Sequence, residues 1–271
     1  MKRLVAVLVA GAVAVLGLLA FGAPAQAADT ASVSVVHGIP KTPVNVFVNG
    51  KSTLSNFKPG SVAGPLQLAP GTYKVTIFAA SNTKGTGTPV ISGSATVEAG
   101  QNYSLVANLT AAGKPTLTAF VNDTSTMAAG MGRIIVRHTA AAPAVDVRAN
   151  GKVAFKGLTN PNEAKANLPA GTISADVVLA GTSTVVIGPA DVKLAEGTDT
   201  IVYAIGSASD KTLAPVVQTI SGLDSAPGGV PGGTGGQADQ HPGAPVWVYL
   251  VSLAGLALAV GTGSRLATTR R

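Results

Sequence analysis

The 271-residue chain contains no cysteine and few aromatic or charged residues. Without cysteine there can be no disulfide, no zinc–thiolate site, no lipid attached through cysteine and no cysteine nucleophile. Aromatic residues make up 4% of the chain and charged residues 11%. This composition argues against the basic, aromatic-lined surfaces that bind nucleic acids. Any folded domain must therefore be held together by the burial of apolar side chains without covalent cross-links.

Residues 1–27 have the three parts of a secretory signal peptide. Lys2 and Arg3 precede an apolar run over residues 4–21, and small residues flank the expected cleavage point after Ala27. The sequence predicts removal of this segment on export. An uncleaved N-terminal anchor is the alternative.

A second apolar segment, residues 246–264, lies near the C-terminus and carries no charge. At 1.5 Å per residue it is about long enough to cross a bilayer core of about 30 Å as a helix. Trp247 and Tyr249 stand at its start like interfacial anchors, and the basic tail 265–271 follows it. A buried core helix is the alternative. Because positive charge stays in the cytoplasm, the sequence predicts a single-pass cell-membrane protein with extracytoplasmic N-terminal domains and a cytoplasmic C-terminal tail.

The net charge of +7 comes mostly from the two ends of the chain. The signal peptide and the tail hold five of the nineteen basic residues, which leaves fourteen basic and twelve acidic residues between them. The exported part then carries a charge of only about +2 and has no dense basic stripe. No nucleic-acid partner is predicted.

The region between the two ends consists of one module repeated twice. His37 is followed after twelve residues by Asn49-Gly50, and His138 at the same distance by Asn150-Gly151. Further matches keep their order along both copies. The sequence therefore predicts two homologous domains, residues 28–126 and 127–220, each large enough to form its own core. Asp123–Met131 is interpreted as a hinge between them.

Strand patterns fill both copies, and neither copy shows sustained helical periodicity. Asn49-Gly50 and Asn150-Gly151 are typical of two-residue type I′ hairpins. Apolar residues alternate with polar ones, as in a strand with one buried face. About seven strands per copy predict an all-β fold of two tandem β-sandwiches. The positions predicted to face the cores include Tyr73, Val75, Ile77, Ile173, Ala175 and Val177.

Residues 221–245 are rich in glycine and proline and are predicted to form a flexible stalk, since they cannot form a core. A flexible chain of that length has a root-mean-square span of roughly 25–30 Å. The second domain is therefore expected to stay close to the membrane.

The paired opening segments resemble an uncharacterised bacterial family, domain of unknown function 4397. Its opening reads approximately V-R-V-V-H-A-S-P-D-A-P-x-V-D-V-Y-V-D-G. The second copy matches it over residues 135–138 and 145–151, and the first copy around His37 and over residues 44–50, with Asn45 in place of the family's aspartate. The resemblance implies an immunoglobulin-like or transthyretin-like sandwich and supplies no catalytic or binding residues. The overall layout also resembles that of Gram-positive, actinobacterial surface proteins.

Three histidines are the first candidates for chemistry: His37 and His138 at equivalent positions, and His241 in the stalk. A metal ligand or general base is one interpretation. A side chain that hydrogen-bonds to the following turn is favoured, because neither domain contains a second histidine. Asp146, whose counterpart is Asn45, is interpreted as an exposed or turn-bonding residue and not as an acid catalyst.

A loose acidic cluster of Asp191, Glu196 and Asp199 lacks the regular spacing of a calcium loop. The sequence therefore predicts no catalytic residue, no cofactor-binding residue and no metal site.

The sequence favours a non-enzymatic cell-surface protein whose membrane-anchored modules serve binding, adhesion or envelope organisation. The expected partners are the membrane and an envelope glycan or surface protein. An enzyme or accessory subunit acting on envelope polymers is an open alternative, with His138 and Asp146 as its candidate residues. A sensor is a further alternative, although the tail of seven residues is too short to hold a signalling domain.

Overall fold

The computed structural model describes residues 29–225, and all of its regular structure is β-strand. Within this range sixteen strands follow one another, eight in each copy of the repeat, where the sequence predicted about seven. Those of the first domain are β1 Ala31–His37, β2 Val44–Val48, β3 Lys51–Phe57, β4 Val62–Leu68, β5 Gly71–Ala79, β6 Ile91–Val97, β7 Asn102–Leu109 and β8 Pro115–Val121. Those of the second are β9 Met131–His138, β10 Val145–Ala149, β11 Lys152–Leu158, β12 Glu163–Pro169, β13 Gly171–Leu179, β14 Val185–Leu194, β15 Asp199–Ile205 and β16 Ala214–Ile220.

The predicted signal peptide 1–27, the stalk beyond Ser225, the predicted membrane helix 246–264 and the tail 265–271 lie outside the described residues. Within residues 29–225 there is no helix of the length and apolarity needed to span a bilayer.

The two copies have the same topology. The first domain has the sheet orders β4-β1-β7-β8 and β3-β2-β5-β6, and the second has β12-β9-β15-β16 and β11-β10-β13-β14. Each strand of the second domain thus has the same place in its sheet as the strand eight numbers earlier in the first domain. In both copies the first and seventh strands are parallel, while the other neighbours are antiparallel. Within residues 29–225, the prediction of all-β structure in two sandwiches is confirmed.

The predicted hairpins are present between β2 and β3 and between β10 and β11. Asn49 and Gly50 have φ angles of 49° and 78°, and Asn150 and Gly151 have 50° and 77°. Two consecutive positive φ values define the type I′ turn, whose twist suits the flanking strands. Asparagine followed by glycine is the pair that adopts this conformation at least steric cost.

The inward positions of β5 and β13 are also those that alternation predicts. Val75 and Ile77 are buried, with 3% and 1% of their surface exposed. Val177 is buried as well, whereas Tyr73 and Ile173 are only partly buried. The face assignment is confirmed in both domains.

The sheets β4-β1-β7-β8 and β12-β9-β15-β16, called here the inner sheets, pack against each other. One face of each inner sheet covers its own domain's core, and the opposite faces meet in a shared apolar cluster. This explains why β1, β7, β9 and β15 are buried along nearly their whole length, as strands covered on both faces are. The buried members of the cluster are Val36, Val106, Ile135, Ile201, Tyr203, Ile205 and Val216.

The segment Asp123–Met131, interpreted from the sequence as a hinge, is fixed in the structure. Arg133 donates from Nη1 to the carbonyl oxygen of Asp123 at 2.7 Å and from Nη2 to Oγ of Ser125 at 3.0 Å. Met127 is 2% exposed, and its N–H donates to the carbonyl oxygen of Leu223 at 2.6 Å. These contacts hold the connection between the domains in one conformation.

The first residues of the predicted stalk belong to the second domain. Leu223 is buried, its N–H donates to the carbonyl oxygen of Gly197, and the N–H of Ser225 donates to that of Met127. The domain thus extends to Ser225, five residues beyond Ile220, where the change in composition had placed its end.

The strands and apolar side chains that form the described cores all lie within residues 29–225. Every strand in this range lies in one of the four sheets, and the four apolar clusters close within it. One compact unit of the chain ends at Ser225. A fragment of residues 29–225 therefore contains all the described strands and apolar clusters of the two sandwiches.

Candidate functional site

The two equivalent histidines are buried and bind the turns that follow them. Nε2 of His37 lies 2.9 Å from the carbonyl oxygen of Thr42, and Nδ1 accepts the N–H of Ile39 at 3.4 Å. Nε2 of His138 lies 3.0 Å from the carbonyl oxygen of Pro143 in the same arrangement. Burial lowers the pKa of both imidazoles below the usual histidine value, so they are neutral at pH 7. The predicted turn-bonding geometry is therefore present in both domains; His241 lies outside the described residues.

The side chains of Asp146 and Asn45 hold loops together from buried positions. They are 4% and 3% exposed, so the expectation of an exposed residue is wrong, while turn bonding is correct. Asp146 accepts the N–H of Gly157 at 2.7 Å and that of Gly181 at 2.9 Å, and these hydrogen bonds lower its pKa. Asn45 accepts the N–H of Asn56 at 2.8 Å, and its amide nitrogen donates to two carbonyls after β5.

The acidic residues near Gly197 do not converge. Asp191 is exposed, Glu196 accepts the N–H of Gly130 at 2.6 Å, and Asp199 is fully buried beside Arg133 at 3.2 Å. Across the described residues, no three His, Asp or Glu side chains are grouped so that they could hold a metal ion.

A fully buried arginine lies at the contact between the domains. Arg137 donates from Nε to Glu163 at 2.7 Å and from Nη1 to the hydroxyl of Tyr203 at 2.9 Å. Its guanidinium carbon lies 4.3 Å from the ring centre of Phe120 in the first domain, within cation–π range. Arg137 was not among the candidate residues predicted from the sequence. Its charge within the otherwise apolar strand β9 was the feature of the sequence that could have identified it.

The polar contacts continue from Tyr203 into the first domain. The Tyr203 hydroxyl donates to Oε1 of Gln218 at 2.6 Å, and Oγ of Ser104 donates to the same oxygen at 2.9 Å. Asn122 in turn donates to Oγ of Ser104 at 3.0 Å. Because these atoms are buried, each must keep its partner, and the network fixes one orientation of the two domains.

The second domain also contains an apolar cavity of about 310 Å³ between its two sheets. Aliphatic side chains from five or more strands border it, together with the ring of Phe155. Several of these residues, including Ala166, Ile173, Ala175 and Val202, are only partly buried, so the cavity is open to solvent. The two charged residues on its border, Arg148 and Asp176, are paired with each other, with Nε and Oδ1 2.7 Å apart.

The same space in the first domain is almost filled, with a cavity of only about 20 Å³. Strand pairing aligns the two copies residue by residue, since Leu66 pairs with Val33 as Ala166 pairs with Ile134. The second copy has smaller side chains at several inward positions, and these reductions remove more volume than its enlargements add. The reductions are Val48 to Ala149, Leu66 to Ala166, Tyr73 to Ile173, Val75 to Ala175 and Leu117 to Pro215.

One edge of the sandwich shows how the first domain closes. Leu117 on β8 packs over Gly93 on β6, where an added Cβ would lie 3.6 Å from the leucine side chain. Pro215 and Ala190 occupy these positions in the second domain, and both are exposed. The shorter proline does not cover this edge, so the cavity opens there.

Residues 31–148 match the family model described as Domain of unknown function (DUF4397). The match covers the first sandwich, β9 and nearly all of β10, and so includes both opening motifs with His37 and His138. No curated protein matches the chain.

The DUF4397 match supports the resemblance noted in the opening segments. It ends at Arg148, so β11 to β16 lie beyond it, and a second family copy over residues 127–220 stays a prediction. Most of the cavity wall, including Ala166 and Ala175, belongs to the part of the second domain outside the DUF4397 match.

Proposed function

We propose that this protein is a non-enzymatic binding protein of the cell surface, anchored in the membrane by residues 246–264. The observation that carries the binding role is the open apolar cavity of the second domain. Its volume lies at the lower end of the range of small-molecule pockets, about 300–1,000 Å³, which are mostly apolar. The side chains of the two suspected catalytic residues, His138 and Asp146, are instead hydrogen-bonded to backbone groups of the surrounding chain.

The two domains act as one rigid unit in this proposal. The shared apolar cluster and the buried contacts of Arg137 join them, and the fixed segment Asp123–Met131 connects them. A rigid pair held near the membrane by a stalk presents its open edge in a limited set of orientations. Such an arrangement suits adhesion, envelope organisation, or binding of an envelope glycan or surface protein along the exposed surface of the pair, with the cavity itself left for an apolar group.

We also infer that each sandwich is transthyretin-like and not immunoglobulin-like. Constant-type immunoglobulin domains have seven strands and place the first two in one sheet. Here each domain has eight strands in two sheets of four, with the first and second strands in different sheets.

Protease treatment of intact cells tests the proposed location. With a tag fused after Arg271, added protease should remove both domains and spare the tag, because the arginine-rich tail is expected to be cytoplasmic. Loss of the tag together with the domains, in cells that remain sealed to a cytoplasmic marker, would contradict the proposed topology.

A binding screen of the fragment 29–225 tests the proposed role. Envelope glycans, envelope proteins and metal ions are presented to the purified fragment, and both binding and turnover are measured. We expect saturable binding without turnover, and no effect of His138→Ala beyond that on stability. Turnover of an envelope polymer that disappears in His138→Ala or Asp146→Asn, with the fold intact, would favour the enzyme alternative.

A further inference from the structure

We propose that the cavity of the second domain binds a single unbranched alkyl chain of about ten carbons, such as the acyl tail of a lipid. This inference rests on the proposed binding function and names the class of ligand. It concerns the space between the sheets β11-β10-β13-β14 and β12-β9-β15-β16, which is filled in the first domain.

The size and length of the cavity fit such a chain. A methylene group occupies a volume similar to that of a water molecule in the liquid, about 30 Å³, so 310 Å³ accommodates about ten. Its border on β13 runs from Ile173 to Val177. At about 3.3 Å per residue this is roughly 13 Å along the strand. An alkyl chain of about ten carbons therefore fits between the sheets, in an extended or a bent form.

The chemistry of the wall excludes a polar ligand. Its inward side chains are aliphatic, apart from Phe155, and offer no hydrogen-bond donor or acceptor. A sugar ring or peptide there would lose its hydrogen bonds to water without replacement, whereas an alkyl chain has none to lose. Each methylene moved from water into the cavity should strengthen binding about fourfold.

The open edge at Ala190 and Pro215 gives a route for the chain, with the polar head group left outside. The expected stalk would hold this edge within a few tens of ångströms of a bilayer, where acyl chains are abundant. Either a free fatty acid or a chain that is part of a lipid could be the source, and the chemistry recognised is the same.

The test is a titration of the fragment 29–225 with carboxylates of six, eight, ten, twelve and fourteen carbons, measured by calorimetry below their micelle concentrations. We expect one site per chain, an affinity that rises about fourfold per methylene, and a plateau near ten carbons where the cavity is full. Decanoyl lysophosphatidylcholine, titrated in parallel, shows whether an esterified chain is taken as well as a free one.

Variants that copy the first domain locate the site. Ala166→Leu and Ala175→Val install the larger side chains found at Leu66 and Val75, and each should weaken decanoate binding at least tenfold. Ala170→Leu adds the same carbons as Ala166→Leu at an exposed position outside the wall and should leave binding unchanged. Circular dichroism checks that each variant is folded, and Ala175→Val serves alone if Ala166→Leu does not fold.

Three results would overturn the proposal: no binding of either ligand by the wild-type fragment, affinity independent of chain length, or equal binding by the filled variants. If a glycan or envelope protein still binds in that case, the proposed function stands and only the alkyl-chain ligand is rejected. Absence of all binding counts against both.

Discussion

The two sandwiches share one topology and differ in how their interiors are filled. The first leaves about 20 Å³ between its sheets and the second about 310 Å³. In both, inward positions are apolar, and the second and fifth strands pair in the same register. The pattern of apolar and polar positions is thus sufficient to specify the topology, while the sizes of the inward side chains decide whether the interior is closed.

The inner sheets differ in a second way, on the faces where the domains meet. The first domain presents mostly small side chains there, and the second presents larger ones that pack against them. Because the two faces differ, each domain packs on the other by a different surface, and a symmetric contact between two identical faces is not favoured. Ser34 and Ser104 of the first domain are equivalent to Ile135 and Ile201 of the second, and Val36 and Val106 are equivalent to Arg137 and Tyr203.

The largest expected effect comes from placing a charge in each interior. Ile77→Asp puts an unpaired carboxylate into the filled core and should destabilise the first domain by about 4 kcal/mol or more. Val177→Asp borders the open cavity, where water can reach the carboxylate, so its effect should be smaller by about 1–2 kcal/mol. Denaturant unfolding of both variants gives the values. Equal losses would mean that the two interiors are equally closed.

The next effect concerns the contact between the domains. Arg137→Ala leaves Glu163 and the Tyr203 hydroxyl without their partner and removes the cation–π contact with Phe120, so it should cost about 3 kcal/mol. We expect the wild-type fragment 29–225 to unfold in one thermal transition and the Arg137→Ala fragment to unfold in two. Arg148→Ala, which breaks the partly exposed pair with Asp176 away from this contact, is the control. One unchanged transition in the Arg137 variant would show that the domains do not depend on this residue.

A reciprocal exchange at one aligned position should change stability in opposite directions. Val75→Ala opens space in the filled core and should destabilise it by about 1–3 kcal/mol. Ala175→Val places the same two carbons in the cavity and should stabilise the second domain by up to about 1 kcal/mol. Differential scanning calorimetry measures both. A loss of stability in both variants would show that the wall around Ala175 has no spare room.

The smallest effect is the contribution of Asp199, in the second domain, to the pH dependence of stability. Burial raises the pKa of Asp199 to about 6 despite the neighbouring Arg133, whereas the first domain has Asn102 at the aligned position. A carboxyl with a raised folded-state pKa binds its proton more tightly when folded, so Asp199 should add stability as the pH falls from 7.5 to 5, whereas the lowered pKa values of His37 and His138 remove stability over the same range. The hydrogen bond from Lys165 holds the pKa of Asp123 well below its usual range, so its contribution is lost only below about pH 4.

Unfolding of wild type and Asp199→Asn between pH 5 and 7.5 measures this dependence. Between pH 7.5 and 5 the change in stability should be more favourable for the wild type than for Asp199→Asn, and Asp191→Asn, at an exposed position, should behave as the wild type. The same pH dependence in wild type and Asp199→Asn would mean that pairing with Arg133 offsets burial at Asp199.

Several parts of the fold were predictable from local sequence. Asn49-Gly50 and its repeat specified the hairpins because few residue pairs tolerate two positive φ values. The alternation around Val75 and Ile77 specified their buried face because strand side chains have a period of two. The repeated spacing of the motifs predicted two domains, since homologous segments adopt the same fold.

Other features depended on partners far apart in the sequence. The nine-residue segment Asp123–Met131 looked like a hinge, because its backbone contact with Leu223 joins residues that are far apart in the sequence. Asp146 looked exposed because its polar partners are the backbone N–H groups of Gly157 on β11 and of Gly181 after β13, which composition does not reveal.

The sequence by itself determined the β-strands of residues 29–225, their hairpins and their inward faces, because each follows from residues within a few positions of one another, and the repeat determined that two similar domains follow each other. Only the tertiary structure decided that the inner sheets pack together and that one interior is filled while the other is open. Both depend on summed side-chain volumes across four or more strands. A reduction such as Leu66 to Ala166 was visible in the sequence, but whether neighbours close the gap is settled only when all the strands are in place.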